Sequence, residues 1–250
     1  MRKSVINLAI AAAALVGASS AVQAKVVLTL QAYAADGTTL LSTKTCDSSA
    51  FGACSGEFSL IGGGLNFVGS VSNFTVSTTS FSGNMPGSAL SATLDASTTR
   101  VQNTAASGFG FFYIDVYATD YLFPSGDDKY LSGFASITQP ASSVTAGDYL
   151  QSNFYADGTN SGLATNLRTC TILAATNASC AAPAGATWND ADGGMFSMRD
   201  VQTFRLSAGN TINSTASGEV TPIPEPMTLS LVGAALLAAG AAARRKAKKA

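Results

Sequence analysis

The sequence predicts a mainly β protein whose body is an antiparallel β-sandwich or jelly-roll-like fold, flanked by an N-terminal signal helix and a C-terminal transmembrane helix. Three observations support the β body: short segments of alternating apolar residues, Gly-rich turns between them, and no long helical periodicity. The clearest alternation lies at 111–119, where Phe112, Ile114 and Val116 alternate with polar or aromatic residues. A strand with one buried face produces this period of two.

Further strands are expected where similar apolar patterns occur, at 26–30, 65–81, 90–95 and 196–206. The pattern predicts a break at Ser72-Asn73 in the second of these segments and an interruption at Asp200 in the last. Turns are expected at Asp36-Gly37, Gly62-Gly63-Gly64, Pro86-Gly87, Pro124-Ser125-Gly126, Asp157-Gly158 and Asp192-Gly193-Gly194. Many short strands separated by such turns are typical of sandwiches and jelly rolls.

Residues 1–24 have the order of a secretory signal peptide. A basic start is followed by a largely apolar run at 5–18, and small residues stand at Val22 and Ala24 before Lys25. This order predicts cleavage between Ala24 and Lys25 and export of the remaining chain. The alternative is an Ala-rich helix buried in the fold.

The C-terminal 30 residues show a second ordered pattern. Residues 221–226 contain three prolines, which favour an extended backbone, and residues 227–243 carry no charge. As a helix, 227–243 would be about 26 Å long, close to the roughly 30 Å of a bilayer core, so it is predicted to be a transmembrane helix. Residues 244–250 form a basic tail that is expected to stay in the cytoplasm and leave the body, 25–220, outside. The basic residues of this membrane-stop cluster are Arg244, Arg245, Lys246, Lys248 and Lys249.

The tail resembles a PEP-CTERM sorting signal, because Pro224, Glu225 and Pro226 precede a short apolar helix and a terminal basic cluster. Such tails are also known as ice-binding protein C-terminal regions. The resemblance implies that exosortase, a membrane-embedded cysteine transpeptidase, recognises these three residues in a Gram-negative cell that makes extracellular polysaccharide. It covers about 221–250 only, and the basic run departs slightly from a plain Arg run. An ordinary C-terminal anchor is the alternative.

The amino-acid composition limits the kinds of catalytic, metal and binding site that the body can form. The chain has no histidine, which excludes His-based triads and His zinc sites, and no Ser-x-x-Lys motif or marked carboxylate pair indicates a hydrolase. Residues 25–226 hold seven Lys and Arg against all 15 Asp and Glu, a net charge of −8. An acidic body is unsuited to nucleic acid. We therefore expect no enzymatic activity, no cofactor and no metal, although the turn at Asp190 and Asp192 leaves a loose calcium site with Asp127 or Asp128 as an alternative.

The four cysteines form two local pairs. Cys46 and Cys54 are eight residues apart, and Cys170 and Cys180 are ten apart. Export favours disulfides, and local pairing needs the least loop closure, so we expect Cys46–Cys54 and Cys170–Cys180. A four-thiolate metal site is the alternative, but its usual spacing is absent. Similar sequences lead into both pairs, at 33–46 and 155–170, and the alternatives are a duplicated β unit, two similar hairpins or chance similarity in a low-complexity background.

The best binding candidates lie on the strand at 111–119. Tyr113 and Tyr117 share one face, which we expect to extend to Tyr121, and their rings are suited to stacking on sugars, while Asp115 is suited to accepting hydroxyl hydrogen bonds. The alternative is aromatic packing within the sheet. Regular Thr-x-Thr ladders suited to ice are absent from the body.

Together these features predict an exported surface or extracellular-matrix protein with a non-enzymatic structural or interaction role. Its expected partners are exosortase and, before processing, the inner membrane through 227–243; after processing it would reach the cell surface or the medium. The first alternative is a carbohydrate-binding, adhesin-like module whose partner is extracellular polysaccharide. A secreted hydrolase is the less favoured alternative.

Overall fold

The structure is a computed structural model, and it describes residues 25–61, 64–84, 87–88, 90–122, 124, 128–161, 166–185, 187–189 and 194–223. The signal peptide, the sorting motif, the transmembrane helix and the basic tail lie outside these residues and stay predictions. Within the described part of the chain, no helix combines the length and apolarity needed to span a bilayer.

Strands dominate the described residues, and two short 3-10 helices, Ser48–Ala53 and Ala141–Ser143, lie between them. The strands are β1 (Val26–Tyr33), β2 (Leu40–Asp47), β3 (Phe58–Ile61), β4 (Gly64–Val71), β5 (Phe74–Gly83), β6 (Ala92–Asn103), β7 (Phe109–Tyr121), β8 (Asp128–Thr138), β9 (Tyr149–Asp157), β10 (Asn166–Leu173), β11 (Asn177–Ala182), β12 (Trp188–Asn189), β13 (Phe196–Ser207) and β14 (Thr211–Pro222).

These strands form two sheets whose described pairings are antiparallel. The six-stranded sheet has the order β10-β9-β13-β7-β1-β2. The eight-stranded sheet has the order β11-β8-β14-β6-β5-β4-β3, with β12 paired to β8. The predicted antiparallel sandwich body is confirmed.

The core lies between the two sheets. In β7 the apolar residues of the predicted alternation point into this core. Phe112, Ile114 and Val116 are 0–1% exposed, whereas the side chains between them face outward. Phe112 stacks on Phe74 of the opposite sheet, with ring centroids 5.2 Å apart. Burial of such side chains contributes about 25 cal/mol per Å² of apolar surface, which holds the sheets face to face.

Both predicted disulfides are present, and each ties an edge of the six-stranded sheet. Cys170 on β10 is bonded to Cys180 on β11, so this bridge joins the two sheets. Cys46 on β2 is bonded to Cys54, at the end of the 3-10 helix that leads to β3. Two disulfides point to an oxidising or extracellular environment.

The two similar sequence segments form two similar hairpins. Leu28 pairs with Cys46 in the β1–β2 hairpin, and Ser152 pairs with Cys170 in the β9–β10 hairpin, so the partners are 18 positions apart in both. The hairpins occupy opposite edges of one sheet. The two segments differ in strand pairing beyond the hairpin: β3 pairs with the following strand β4, whereas β11 pairs with the earlier strand β8.

The predicted break at Ser72-Asn73 is confirmed, but the interruption at Asp200 is wrong. Strand β13 continues through Asp200, and its irregularity lies between Phe196 and Met198. The Asp200 side chain is buried and accepts a 2.9 Å hydrogen bond from Gln202 Nε2, so this polar residue has a partner inside the sandwich. Another boundary also differs from the expectation, because Leu90 is 80% exposed and precedes β6.

Candidate functional site

The outer face of the six-stranded sheet carries a concentration of aromatic side chains. We call the outward-facing residues of 111–117 on β7, 149–155 on β9 and 199–205 on β13 the aromatic platform. These three strands are adjacent, with β13 between β9 and β7. The aromatic and charged members of the platform are Phe111, Tyr113, Asp115, Tyr117, Tyr149, Tyr155, Arg199 and Arg205.

Strand register places these side chains in rows across the sheet. Arg199 is paired with Tyr155 on one side and with Tyr117 on the other. Six residues along β13, Arg205 is paired with Tyr149 and Phe111 in the same manner. Directly paired side chains on one face are in contact range, so each arginine stands between two aromatic residues.

Arg199 and Asp115 form a bidentate ion pair. Arg199 Nε donates to Asp115 Oδ1 at 2.8 Å, and Nη2 donates to Oδ2 at 2.6 Å. The two side chains are 34% and 25% exposed, so the pair is only partly open to solvent. The hydrogen bonds that Arg199 donates to Asp115 raise the pKa of Arg199, and the guanidinium carbon lies 5.9 Å from the centre of the Tyr155 ring. Planar, bidentate geometry of this kind fixes both side chains.

The structure places Tyr113, Asp115 and Tyr117 on the same face, as the alternation predicts. Tyr113 packs edge-on against Tyr33, with ring centroids 5.0 Å apart. Partial burial raises the pKa of both Tyr113 and Tyr117, so their hydroxyl groups stay neutral at physiological pH. Each oxygen of Asp115 already accepts a hydrogen bond from Arg199, a partner that the sequence pattern did not indicate. Each oxygen keeps one further lone pair for a ligand hydroxyl.

A shallow depression opens beside this ion pair. Its volume is about 200 Å³, below the roughly 300 Å³ at which typical small-molecule pockets begin. It is therefore suited to part of a larger ligand rather than to an enclosed small molecule. The depression is lined by Val27, Thr29, Asp115, Tyr117, Ser161 and Arg199.

The expected extension of this face to Tyr121 is wrong. Asp120 has a left-handed backbone, with φ of 68°, at the point where the pairing of β7 and β13 shifts register. The irregularity changes the phase of the alternation, so Tyr121 points inward and is fully buried. Its ring stacks on Phe196 at 5.3 Å, and its hydroxyl donates to the Thr93 carbonyl oxygen at 2.7 Å.

Most of the platform is not indicated by the sequence pattern alone. The members without such an indication are Phe111, Tyr149, Tyr155, Arg199 and Arg205. A period-two signal was present at 149–155, where Tyr, Gln, Asn and Tyr share one face. The sequence does not indicate that these strands share one surface, because β9 and β13 are far from β7 in the sequence and adjacent to one another only in the sheet order β9-β13-β7.

No metal centre is evident in the described ranges, where His, Cys, Asp and Glu form no group of three or more suited to an ion. Asp127, Asp190 and Asp192 lie outside the described residues, so the calcium alternative stays untested. Burial raises the pKa of Asp200 to about 7. That carboxyl is 1% exposed between the sheets, which makes it a core residue rather than part of the platform.

Comparisons with known proteins give no family assignment. No protein-family model matches the chain. No curated protein matches it either.

Several solved structures share a distant likeness. TmCBM61 in complex with beta-1,4-galactotriose is 12% identical, with a TM-score of 0.31 over 60% of this chain and 90% of that chain. A structure of carbohydrate-binding modules from the beta-sandwich super family is 14% identical, with a TM-score of 0.29 over 76% and 71%. The infectious bursal disease virus Gx strain structure is 9% identical, with a TM-score of 0.30 over 81% and 57%. These TM-scores are low, and the likeness carries no argument about function.

Proposed function

We propose that the protein is an exported, non-enzymatic surface or matrix protein that binds extracellular polysaccharide through the aromatic platform. Its delivery depends on exosortase recognition of Pro224, Glu225 and Pro226. The observation that carries the binding proposal is the platform itself, in which aromatic rings and paired charges share one outward-facing sheet surface.

The platform offers both kinds of contact that a sugar needs. A sugar ring has an apolar C–H face, which packs on aromatic rings such as Tyr117 and Tyr155, and a rim of hydroxyl groups. Between the aromatic residues lie Asn153 and Gln151, whose amides both donate and accept hydrogen bonds. The face therefore combines stacking surfaces with polar groups at short intervals.

The ion pair between Arg199 and Asp115 prepares the polar part of the site. Two hydrogen bonds hold both side chains in one geometry before a ligand arrives. Binding then costs less side-chain entropy than it would with two free, long side chains. The depression beside the pair gives one sugar unit a place next to Tyr117.

A non-enzymatic role is favoured by the carboxylates of the platform. Glycoside hydrolysis uses two carboxyl groups on either side of the scissile bond. Asp115 is the one carboxylate of the platform, and it is held by Arg199. This arrangement supports binding without cleavage.

Retention of the exported protein on immobilised extracellular polysaccharide from the producing cells tests the proposal. We expect the wild-type protein to be retained and the variant with Tyr113→Ala and Tyr117→Ala to elute early, because two stacking rings are lost. The matched control is Tyr130→Ala with Phe134→Ala, which removes two outward aromatic residues with the same spacing from β8 of the other sheet. Equal retention of the two double variants would show that the platform is not the binding surface.

A further inference from the structure

We propose that the ligand of the platform is an acidic polysaccharide that lies lengthwise along β7, β9 and β13, with a sugar carboxylate at Arg205. This inference rests on the proposed function and adds the direction, the minimum length and the charge of the bound chain.

Two similar clusters mark the ends of the platform. Cluster 1 consists of Tyr117, Tyr155 and Arg199, and cluster 2 consists of Phe111, Tyr149 and Arg205. Both use the same three strands, and corresponding members are six residues apart. At about 3.4 Å per residue, the clusters are roughly 20 Å apart. A disaccharide is too short to reach both, so a ligand that uses both must be a chain of several linked sugars.

The surface between the clusters is continuous and polar enough to follow such a chain. Gln151, Thr203 and Tyr113 form one row across β9, β13 and β7. Gln151 offers an amide and Tyr113 offers an aromatic ring, whereas Thr203 between them is buried, 6% exposed. A chain that runs parallel to the strands meets both clusters and this middle row.

The two arginines differ in their charge environment. Arg199 is neutralised by Asp115. Arg205 donates to the Gly147 carbonyl oxygen and packs on the Phe109 ring, with its guanidinium carbon 3.9 Å from the ring centre. The neighbouring carboxylate of Asp148 accepts instead from Ser207 and Asn210.

The platform is therefore positive on an otherwise acidic protein. No ion pair joins Arg205 to a carboxylate in the part of the chain that the structure describes. With Arg199 and Asp115 balanced, the platform carries one net positive charge, whereas 25–226 carries −8. An anionic chain is repelled by most of the body and attracted to cluster 2, and a guanidinium is well suited to binding a carboxylate.

The test compares native matrix polysaccharide with the same polymer after chemical reduction of its carboxyl groups to alcohols, together with oligosaccharides from disaccharide to octasaccharide prepared from the native polymer. Affinity for the exported protein is measured by calorimetry. We expect the octasaccharide to bind at least tenfold more tightly than the disaccharide, because linked contacts at two clusters reinforce each other. We also expect carboxyl reduction to weaken polymer binding about tenfold.

Single substitutions identify which residues cause the dependence of affinity on carboxyl groups and on chain length. Arg205→Gln should bind native polymer about as weakly as wild type binds the reduced polymer, and should no longer distinguish the two forms. Arg100→Gln, an exposed arginine on β6 of the other sheet, is the matched control and should behave as wild type. Tyr117→Ala and Tyr149→Ala should each lower octasaccharide affinity about tenfold, while the corresponding Phe variants, which keep the rings, should retain it. The thermal unfolding midpoint of each variant checks that the fold is intact.

The outcomes separate this inference from the proposed function. Equal affinity for native and reduced polymer, or for disaccharide and octasaccharide, would overturn the acidic, lengthwise ligand and leave polysaccharide binding in place. Failure of wild type to bind either polymer would overturn both proposals.

Discussion

Asp200 places a carboxyl group in the interior of the sandwich. The residue is 1% exposed, and its Oδ2 accepts a 2.9 Å hydrogen bond from Gln202, which itself accepts from the Ser214 hydroxyl at 3.3 Å. Its Oδ1 has no hydrogen-bond partner among the described residues. Burial is the main reason that its pKa rises to about 7, and the charge of Asp115 raises it further.

This raised pKa predicts that the protein loses stability as the pH rises from about 4 to about 7. Unfolded aspartate has a pKa of about 3.9, so in this interval the unfolded chain releases a proton that the folded chain keeps. Deprotonation therefore favours unfolding until the folded pKa is passed, after which the difference is constant. We expect Asp200→Asn, which is neutral and of similar shape, to flatten this dependence and to raise the unfolding midpoint at pH 8.

Thermal unfolding at pH 5 and pH 8 measures the effect. Burial raises the pKa of Asp47 and Asp157, but their hydrogen bonds outweigh it, and hydrogen bonds also lower the pKa of Asp36, so all three pKa values are lowered. Their stabilising effect is lost only as the pH falls through their own acidic range, outside this window. If wild type and Asp200→Asn lost the same stability between pH 5 and pH 8, the buried carboxyl would not be the source.

The disulfides hold the edges of the six-stranded sheet. Cys170–Cys180 joins β10 to β11 across the two sheets, while among the described strands β10 pairs only with β9 in its own sheet. The bridge therefore restrains an edge that backbone pairing holds from one side only.

Replacing this pair by Cys170→Ala and Cys180→Ala should destabilise the protein by about 2–3 kcal/mol, because the unfolded chain gains freedom when a ten-residue crosslink is removed. Chemical denaturation measures the loss. Hydrogen exchange should show faster opening at β10 and β11, with β7 still protected in the centre of the sheet. Uniformly faster exchange across both sheets would mean that the bridge supports the whole sandwich and not its edge.

Sequence alone predicted those elements in which local pattern and tertiary burial agree. In β7 the alternation of Phe112, Ile114 and Val116 fixed both the strand and its buried face. The same alternation gives the wrong face for Tyr121. Asp120 has a left-handed backbone that changes the phase of the strand, and the residue types alone do not indicate this conformation. At Asp200 a buried partner, Gln202, keeps a polar residue within a strand.

The candidate site was predictable only in part for a related reason. Tyr113, Asp115 and Tyr117 lie on one strand and share a face by simple alternation. Arg199 and Tyr155 join them only through the antiparallel pairing of distant strands. Such long-range register depends on the packing of the whole sandwich.

The whole protein combines a disulfide-bonded β body with predicted export and sorting segments. We predict that export removes residues 1–24 and that exosortase then processes the chain near Pro224, Glu225 and Pro226. In cells that lack exosortase, a longer, membrane-retained form should accumulate, and Glu225→Ala should have the same effect in cells that have the enzyme. Cell fractionation with intact-mass analysis measures both. Equal surface delivery with and without exosortase, with the C-terminal segment intact, would reduce that segment to an ordinary anchor.

Polysaccharide is proposed to bind at the aromatic platform. Hydrogen exchange of the exported protein, measured by mass spectrometry with and without soluble matrix polysaccharide, locates the bound surface without any substitution. We expect slower exchange in peptides that cover 111–117, 149–155 and 199–205, and unchanged exchange in β8 and β14 of the other sheet. Protection confined to β8 and β14, or no protection at saturating polysaccharide, would contradict this expectation.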